Sequence, residues 1–513
     1  MQEKSEIQEK SNGMQKRTYK SERVALTTLS MPEKEKIDLS IKIKNFGPII
    51  SSNIIFKPLT LFIGPNNAGK SYTAMLVHSL FESLTPDVPL SMIENFSNYF
   101  NIQIFETEFP EFRDKINNMK EGEKSEIPLD EIINRIFEKI YNKRLNNEII
   151  RSYACALDKL VKFGEKSFRL EINNSPYEID IAYQEDNPEI KWDSHLGIRM
   201  KVEKLGQHDL SIEVIKDNEI FIEIKKWSEG GENREYLFMQ LINWILKYFL
   251  GSVFRTMATL CYYLPAARSG ILQGHKALAA TIVKKAPLIG IEKLEIPKFS
   301  GIVSDLISSI ISLPEKEGPF FNLAQELEQE LIKGDISVKT EDEYVYPEIQ
   351  YNFKGTEIPL HRTSSTVSEL APLILYLKYK IEPGNILVIE EPEAHLHPEN
   401  QRILAKFLVK LIRKGAYIII TTHSDYLIEQ LSSFILLSKV EPKKRKSKYK
   451  YNEEDYLNAD EVGAYVFNYD KANDGYKTAE IKITEEEGIS QEEHMRIIEA
   501  LYEETLKLRR DIG

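Results

Sequence analysis

The chain has 513 residues, 42% of them hydrophobic and 28% charged, a balance that suits a folded globular protein with room for two or three domains. Its 67 basic and 79 acidic side chains leave a formal charge of −12, so general polyanion binding is excluded and any nucleic-acid contact needs a local basic patch. The two cysteines, Cys155 and Cys261, lie far apart without metal-ligand spacing, which argues against a disulfide scaffold or zinc site and for a reducing, cytoplasmic setting.

Residues 1–36 are rich in Glu, Lys, Ser and Gln and have no apolar h-region, so they read as a flexible tail rather than a signal peptide. From Ile37 the pattern turns strand-like: Ile37, Leu39, Ile41 and Ile43 alternate with polar residues, Gly47-Pro48 makes a turn, and Ile54 with Phe56 resume the alternation. Leu59 to Ile63 is a short buried strand, and it runs into Gly64-Pro65-Asn66-Asn67-Ala68-Gly69-Lys70-Ser71, which fits the P-loop pattern G-x-x-x-x-G-K-[ST]. Tyr72 to Leu80 has helical spacing without Gly or Pro. Such a loop wraps its backbone around a polyphosphate. The N–H groups of Asn66, Asn67, Ala68, Gly69, Lys70, Ser71 and Tyr72 and the helix N-terminus point at its charge. Lys70 then reaches the β- and γ-phosphates, and the Ser71 hydroxyl ligates Mg²⁺.

Residues 37–81 are thus the N-terminal part of a nucleotide-binding domain, followed by an insertion at 82–260. Its first half reads as helical. Its middle reads as an antiparallel sheet, with Asn173-Asn174 and Asp217-Asn218 as hairpin turns. The apolar stretch Phe238 to Leu264 holds Lys247 and Arg255, with Gln240 and Asn243 nearby, so it suits a buried or amphipathic helix better than a membrane span. Residues 261–350 read mainly as helices, such as Gly301 to Leu313 and Phe321 to Lys333. The α/β pattern returns over 351–440: a strand at Ile386 to Ile389, an amphipathic helix at Gln401 to Arg413 and a strand at Ala416 to Ile420, with links short enough for parallel pairing. Residues 441–513 form a C-terminal extension. In it the basic run Lys443 to Lys450 reads as a solvated loop in preference to a nucleic-acid contact.

A P-loop binds phosphate but does not activate water; that takes a strand ending in carboxylates. Ile386-Leu387-Val388-Ile389-Glu390-Glu391 supplies one, with Glu390 as the Mg²⁺-side acid, usually through water, and Glu391 as the general base. His423 ends the next strand. Alone it would more often be structural; beside the other two motifs it is the favoured sensor of the γ-phosphate.

The order GPNNAGKS, SSTVSELAPLILYLKY, ILVIEEPEAHLHP and IIITTHSD resembles the ABC-type ATPase heads of SMC, RecF and OLD-like proteins, and it looks closest to the AAA-15/AAA-21-type ATPases of prokaryotes. The resemblance lies in Ile37 to Leu80 and Leu360 to Leu437. In the middle it is carried only by Tyr263-Leu264-Pro265-Ala266-Ala267-Arg268-Ser269-Gly270, whose Arg268 could reach phosphate. It implies an α/β ABC-type head, a mixed sheet flanked by helices, interrupted by a large helical and antiparallel-β insertion.

Thr363 to Leu370 takes the signature position, where Ser364, Ser365 and Ser368 would serve the γ-phosphate of an opposite subunit. From the residues alone a simple N-cap fits equally well. Glu393 to Pro398 matches the D-loop, a reading favoured over a metal site made of Glu393, His395 and His397. Three features depart from the family pattern: Glu390 replaces the usual Asp, Thr366 replaces the usual Gly, and no Q-loop glutamine is assignable. They point to slow hydrolysis, with ATP binding acting mainly as a dimer switch.

The resemblance implies an ATP- and Mg²⁺-dependent ATPase that forms a homodimer or higher homo-oligomer around nucleotide. It would control a separately encoded effector, a nuclease or toxin, or DNA, in antiviral defence or DNA repair. Two alternatives stay open at this point: an OLD-like ATP-regulated nuclease, and an ATP-binding adaptor without turnover. The nuclease is disfavoured because only roughly 75 residues follow Leu437, too few for a compact domain of about 100.

Overall fold

The computed structural model describes residues 39–84, 114–115, 118–174, 177–195, 197–206, 209–216, 219–228, 259–274, 299–339, 348–490, 506–508 and 510. The tail expected over 1–36 lies outside them, as does the apolar stretch Phe238 to Leu264 except for residues 259–264.

The alternating N-terminal segments become β1 (Leu39–Phe46), β2 (Ile49–Ile55) and β3 (Leu59–Ile63). The region read as an insertion contributes β4 (Lys124–Pro128), β5 (Ser167–Asn174), β6 (Tyr177–Gln184), β7 (Asn187–His195), β8 (Ile198–Lys204), β9 (Asp209–Lys216) and β10 (Glu219–Ser228). There follow β11 (Cys261–Leu264), β12 (Asp335–Lys339), β13 (Glu348–Phe353) and β14 (Thr356–Pro359). The last strands are β15 (Ile386–Glu390), β16 (Tyr417–Thr422), β17 (Val462–Asp470) and β18 (Gly475–Glu480), with a small ribbon of β19 (Ile483–Thr484) and β20 (Gly488–Ile489).

Eleven strands form one sheet in the order β11-β15-β16-β3-β17-β18-β2-β1-β5-β6-β7. From β11 to β17 neighbouring strands are parallel. The central ones read as unbroken apolar runs because helices cover both faces: every residue of Ile386–Ile389 is at most 2% exposed. Beyond β17 the sheet is mostly antiparallel, and β5, β6 and β7 extend it by hairpin pairing. A second sheet, β10-β9-β8-β4, and a third, β12-β13-β14, stand apart. Thus the region read as an insertion lends three strands to the main sheet, and the region read as a C-terminal extension lends two, β17, which pairs directly with β3, and β18.

Eight helices matter here: α1 (Lys70–Leu84), α2 (Leu129–Tyr153), α3 (Gly301–Ile311), α4 (Phe321–Leu327), α5 (Ser365–Tyr379), α6 (Pro398–Arg413), α7 (Asp425–Leu436) and α8 (Pro442–Tyr449). The period-2 alternation of the strands divides the core into two layers. Phe62, Val388 and Ile419 join Leu76, Val77 and Leu80 of α1 on one face. Leu61, Leu387, Ile389 and Ile420 face the other way, onto apolar residues of α5, α6 and α7.

The basic run expected to be a solvated loop is helical instead. Pro442 starts α8 at the position where a missing N–H costs nothing, and Lys450 ends it in the left-handed region. Arg445 of that run is buried; its guanidinium donates to the carbonyl oxygens of Val440, Ser438 and Glu453.

Candidate functional site

Parallel pairing sets one sheet edge as the site. Phe62 aligns with Thr421, which aligns with Glu390, and Ile63 aligns with Thr422. The loops leaving β3, β15 and β16 therefore emerge side by side at the carboxyl ends of the strands, the usual place for ligands in such sheets.

After β3 the chain turns sharply into α1. Gly64 (φ +146°) and Gly69 (φ +96°) hold conformations that other residues rarely adopt, and a Cβ on Gly69 would lie 3.0 Å from Pro48 and Ile49. Pro65, Asn66 and Asn67 are exposed, Ala68, Gly69 and Lys70 are buried, and Ser71 and Tyr72 are exposed at the helix start. Lys70 Nζ donates to the carbonyl oxygens of Gly64 and Pro65, both at 2.7 Å. Burial pushes the Lys70 pKa down, and the charges of Glu391, Glu393 and Glu390 oppose that shift. A partly desolvated ammonium within the field of three carboxylates and bonded only to neutral carbonyls suits an incoming polyphosphate.

Glu390 is 8% exposed, and both its carboxylate oxygens are engaged. Tyr263 Oη donates to Oε1 at 2.6 Å and the Ala266 N–H to Oε2 at 3.0 Å. Burial, and then the charge of Glu390, hold the Tyr263 phenol well above its usual range, so it stays a donor. Each carboxylate oxygen keeps a second lone pair, which suits the metal-side role through water better than direct ligation.

Glu391 sits at φ +43°, a strained position for a non-glycine residue, with its N–H donated to Thr421 O at 2.9 Å. Its Oε1 lies 3.6 Å from His423 Nδ1, and both side chains are solvent-accessible. Glu393 is buried and ties the two loops together: Thr422 Oγ1 donates to its Oε1 at 2.6 Å and the His423 N–H at 3.1 Å. Its Oε2 has no hydrogen-bond partner.

Arg268, considered at the sequence level for phosphate contact, is instead 2% exposed and fully engaged. Its guanidinium donates to the main-chain oxygen of Glu390 at 2.6 Å and of Glu369 at 3.2 Å, and it pairs with the Glu369 carboxylate at 3.3 Å. It is therefore an internal tie between the β11 loop, the end of β15 and α5. The segment at 263–270 signalled this connection through its recurrence alone; nothing local in it announces the contact to Glu390.

At the start of α5, Ser364 is the N-cap, accepting from the Val367 N–H at 3.4 Å, and Ser364 and Ser365 are exposed. Ser368 is brought elsewhere: it is 1% exposed, and its hydroxyl is shared with the oxygens of Ser364, Ser365 and Ser269. Thr366 Oγ1 donates to His395 O at 3.1 Å, linking this helix start to the loop after β15. His397 caps α6 through Glu399 N–H, and among the described residues no potential metal cluster includes Glu393, His395 or His397.

Among the described residues, the cluster that could hold a metal ion is His78, Glu148 and Asp305. Arg151 already bridges it, donating to both oxygens of Glu148 at 2.8 Å and both of Asp305 at 2.7 Å. A cation is thus present in the form of a guanidinium. Among the described residues no helix is long and apolar enough to cross a membrane.

A family model described as AAA_15, AAA ATPase domain, matches residues 39–428. No curated protein matches the sequence. Solved structures that align include the Smc head bound to the C-winged helix domain of ScpA, at 11% identity over 87% of this chain and 98% of that one, with TM-score 0.37. The Smc head domain with an extended coiled coil bound to the C-terminal domain of ScpA from Pyrococcus furiosus aligns at 12% identity, over 91% of this chain and 99% of that one, with TM-score 0.35. The SMC head domain from Thermotoga maritima aligns at 10% identity over 88% and 100%, with TM-score 0.31. Similarity this low leaves the assignment to the sheet order and the family match.

Proposed function

The chain belongs to the AAA_15 family of AAA ATPase domains, and we propose that it binds and hydrolyses ATP with Mg²⁺ as a nucleotide-controlled switch. The observation that carries this reading is the alignment of β3, β15 and β16 on one sheet edge, which sets Lys70, Glu390, Glu391 and His423 around a common space. In this reading Lys70 exchanges its two carbonyl partners for β- and γ-phosphate oxygens, and the N–H groups of residues 66–72 receive the rest. Ser71 and Glu390 would hold Mg²⁺, which neutralises phosphate charge when bound. Glu391 takes the proton of the attacking water, and His423, 3.6 Å from it, orients that water and senses the γ-phosphate.

The exposed Ser364 and Ser365 at the start of α5 would face the γ-phosphate held by a second copy, giving a homodimer or higher homo-oligomer with nucleotide at the joint. Ser368, internal to its own helix, supports that start rather than touching nucleotide. The ATPase domain would be assembled from 37–81 and 351–440, completed by β17 from the C-terminal region, with 82–260 as its accessory lobe. The signal would pass to a separately encoded effector, or to DNA, in a defence or DNA-repair system. That last step rests on family resemblance alone.

Substituting Glu391→Gln tests the reading. Phosphate release should fall roughly 100- to 10,000-fold while ATP binding persists, and the variant should accumulate as an ATP-dependent dimer in sedimentation. Turnover unchanged in this variant would remove Glu391 as the base. A wild-type protein that binds ATP and releases no phosphate would favour the adaptor instead.

A further inference from the structure

β11 runs into a loop, Pro265 to Arg268, that closes on Glu390. β11 and β15 are parallel, with Tyr263 aligned to Val388 and Leu264 to Ile389. Side chains alternate along a strand, so Glu390 shares the face of Val388 and lies about 7 Å further along the sheet than Tyr263. Tyr263 and Val388 belong to the core layer that also holds Leu76, Val77 and Leu80 of α1, the helix that begins at Lys70. Only long side chains bridge such a step. Tyr263 Oη donates to Glu390 Oε1 at 2.6 Å, and the Ala266 N–H to Oε2 at 3.0 Å. An aspartate at 390, one methylene shorter, would draw its carboxylate back from both donors.

The clamp is itself held. Tyr263 is 3% exposed, and its ring packs 5.5 Å from that of His78 on α1. Arg268 fixes the main chain of the same acid, donating to Glu390 O at 2.6 Å. A glutamate has one more rotatable bond than an aspartate, and a free one would have to be ordered each time it met a metal ion. Two donors already in place remove that cost.

We infer that Tyr263 is a positioning residue for the metal-side acid: its hydroxyl, together with the Ala266 N–H, holds the Glu390 carboxylate in the orientation in which it serves Mg²⁺. Tyr263 acts only through Glu390. The inference rests on the ATP and Mg²⁺ reading above. It adds a physical reason for glutamate at 390 and a role for the segment 263–268.

Tyr263→Phe removes the hydroxyl and keeps the ring on His78, so the fold is retained. Calorimetric titration of ATP into the full chain, across a Mg²⁺ series and in EDTA, reads the effect. The Mg²⁺ needed for half-maximal tightening of ATP should rise roughly 10- to 100-fold, with ATP affinity in EDTA within about twofold of wild type. Phosphate release should follow, with a higher KM for Mg²⁺ and a kcat at saturating Mg²⁺ close to wild type. A lowered melting temperature with an unchanged Mg²⁺ requirement would make the hydroxyl merely structural and overturn the inference. Glu390→Asp should raise the Mg²⁺ requirement similarly, and adding Tyr263→Phe to it should cost no more than about twofold further, because the bond is already lost. Penalties that multiply in the double variant also overturn the inference. Wild-type ATP binding that ignores Mg²⁺ altogether overturns the Mg²⁺ reading itself.

Discussion

Near the start of α1, Lys70 stands in the field of Glu390, Glu391 and Glu393; further along the same helix, His78 borders a corner where Arg151 lies between Glu148 and Asp305. Both are cations among carboxylates, yet their bonding differs. Lys70 spends its donors on two neutral main-chain oxygens, and burial lowers its pKa. Arg151 spends its donors on four carboxylate oxygens, and its pKa is raised, first through Asp305. A cation held by neutral dipoles in a desolvated place gains by meeting an anion, whereas one saturated by two carboxylates has nothing to gain. The first arrangement is built for binding and the second for holding α1, α2 and α3 together.

Substitution at each corner should separate these roles. Lys70→Ala should weaken ATP by at least roughly 100-fold, the loss of two charge-assisted contacts, with little change in melting temperature. An unchanged affinity measured by titration would place the phosphates elsewhere. Arg151→Ala should act the other way, with ATP affinity within about twofold. The side chain is 39% exposed, so solvent screening limits the cost to roughly 1–2 kcal/mol, or a fall in melting temperature of a few degrees by calorimetry. A large loss of ATP binding in that variant would show that the Arg151 corner also serves the nucleotide.

The smallest effect is a pH dependence. The native Lys70 pKa lies below 10.5, so on raising pH the folded state releases this proton before the unfolded chain does. Between the native value and 10.5 the unfolded state binds more protons, and stability contributed by this group rises with pH. ATP affinity should fall across the same window as the ammonium is lost. Denaturant titrations of wild type and Lys70→Met should diverge there, and parallel curves would show that burial does not shift Lys70.

Part of the site was legible because its elements are local. A strand, a glycine turn and a helix start lie within a few residues around Lys70, and an apolar run ends in Glu390-Glu391. The signature serines were legible only in part. Ser364 and Ser365 reach the surface, but Ser368 is turned inward by the helix period, which the motif by itself did not reveal. The basic run misled through composition: seven of the eight residues Lys443 to Lys450 are exposed as expected, yet Pro442 and the inward Arg445 make the segment a helix.

Other functional residues gave no local sign. Tyr263, Ala266 and Arg268 act on Glu390 only because β11 pairs with β15, more than 120 positions later.

By itself the sequence determined the phosphate loop, the paired acids and the histidine, because backbone sterics and strand-to-helix turns act over a few residues. Tertiary structure alone decided that β17 lies beside β3 and that Arg268 is a buried tie. Strand order and inter-element packing are set by burying two apolar faces at once and pairing every inner strand edge. Those are global conditions, and no local pattern encodes them.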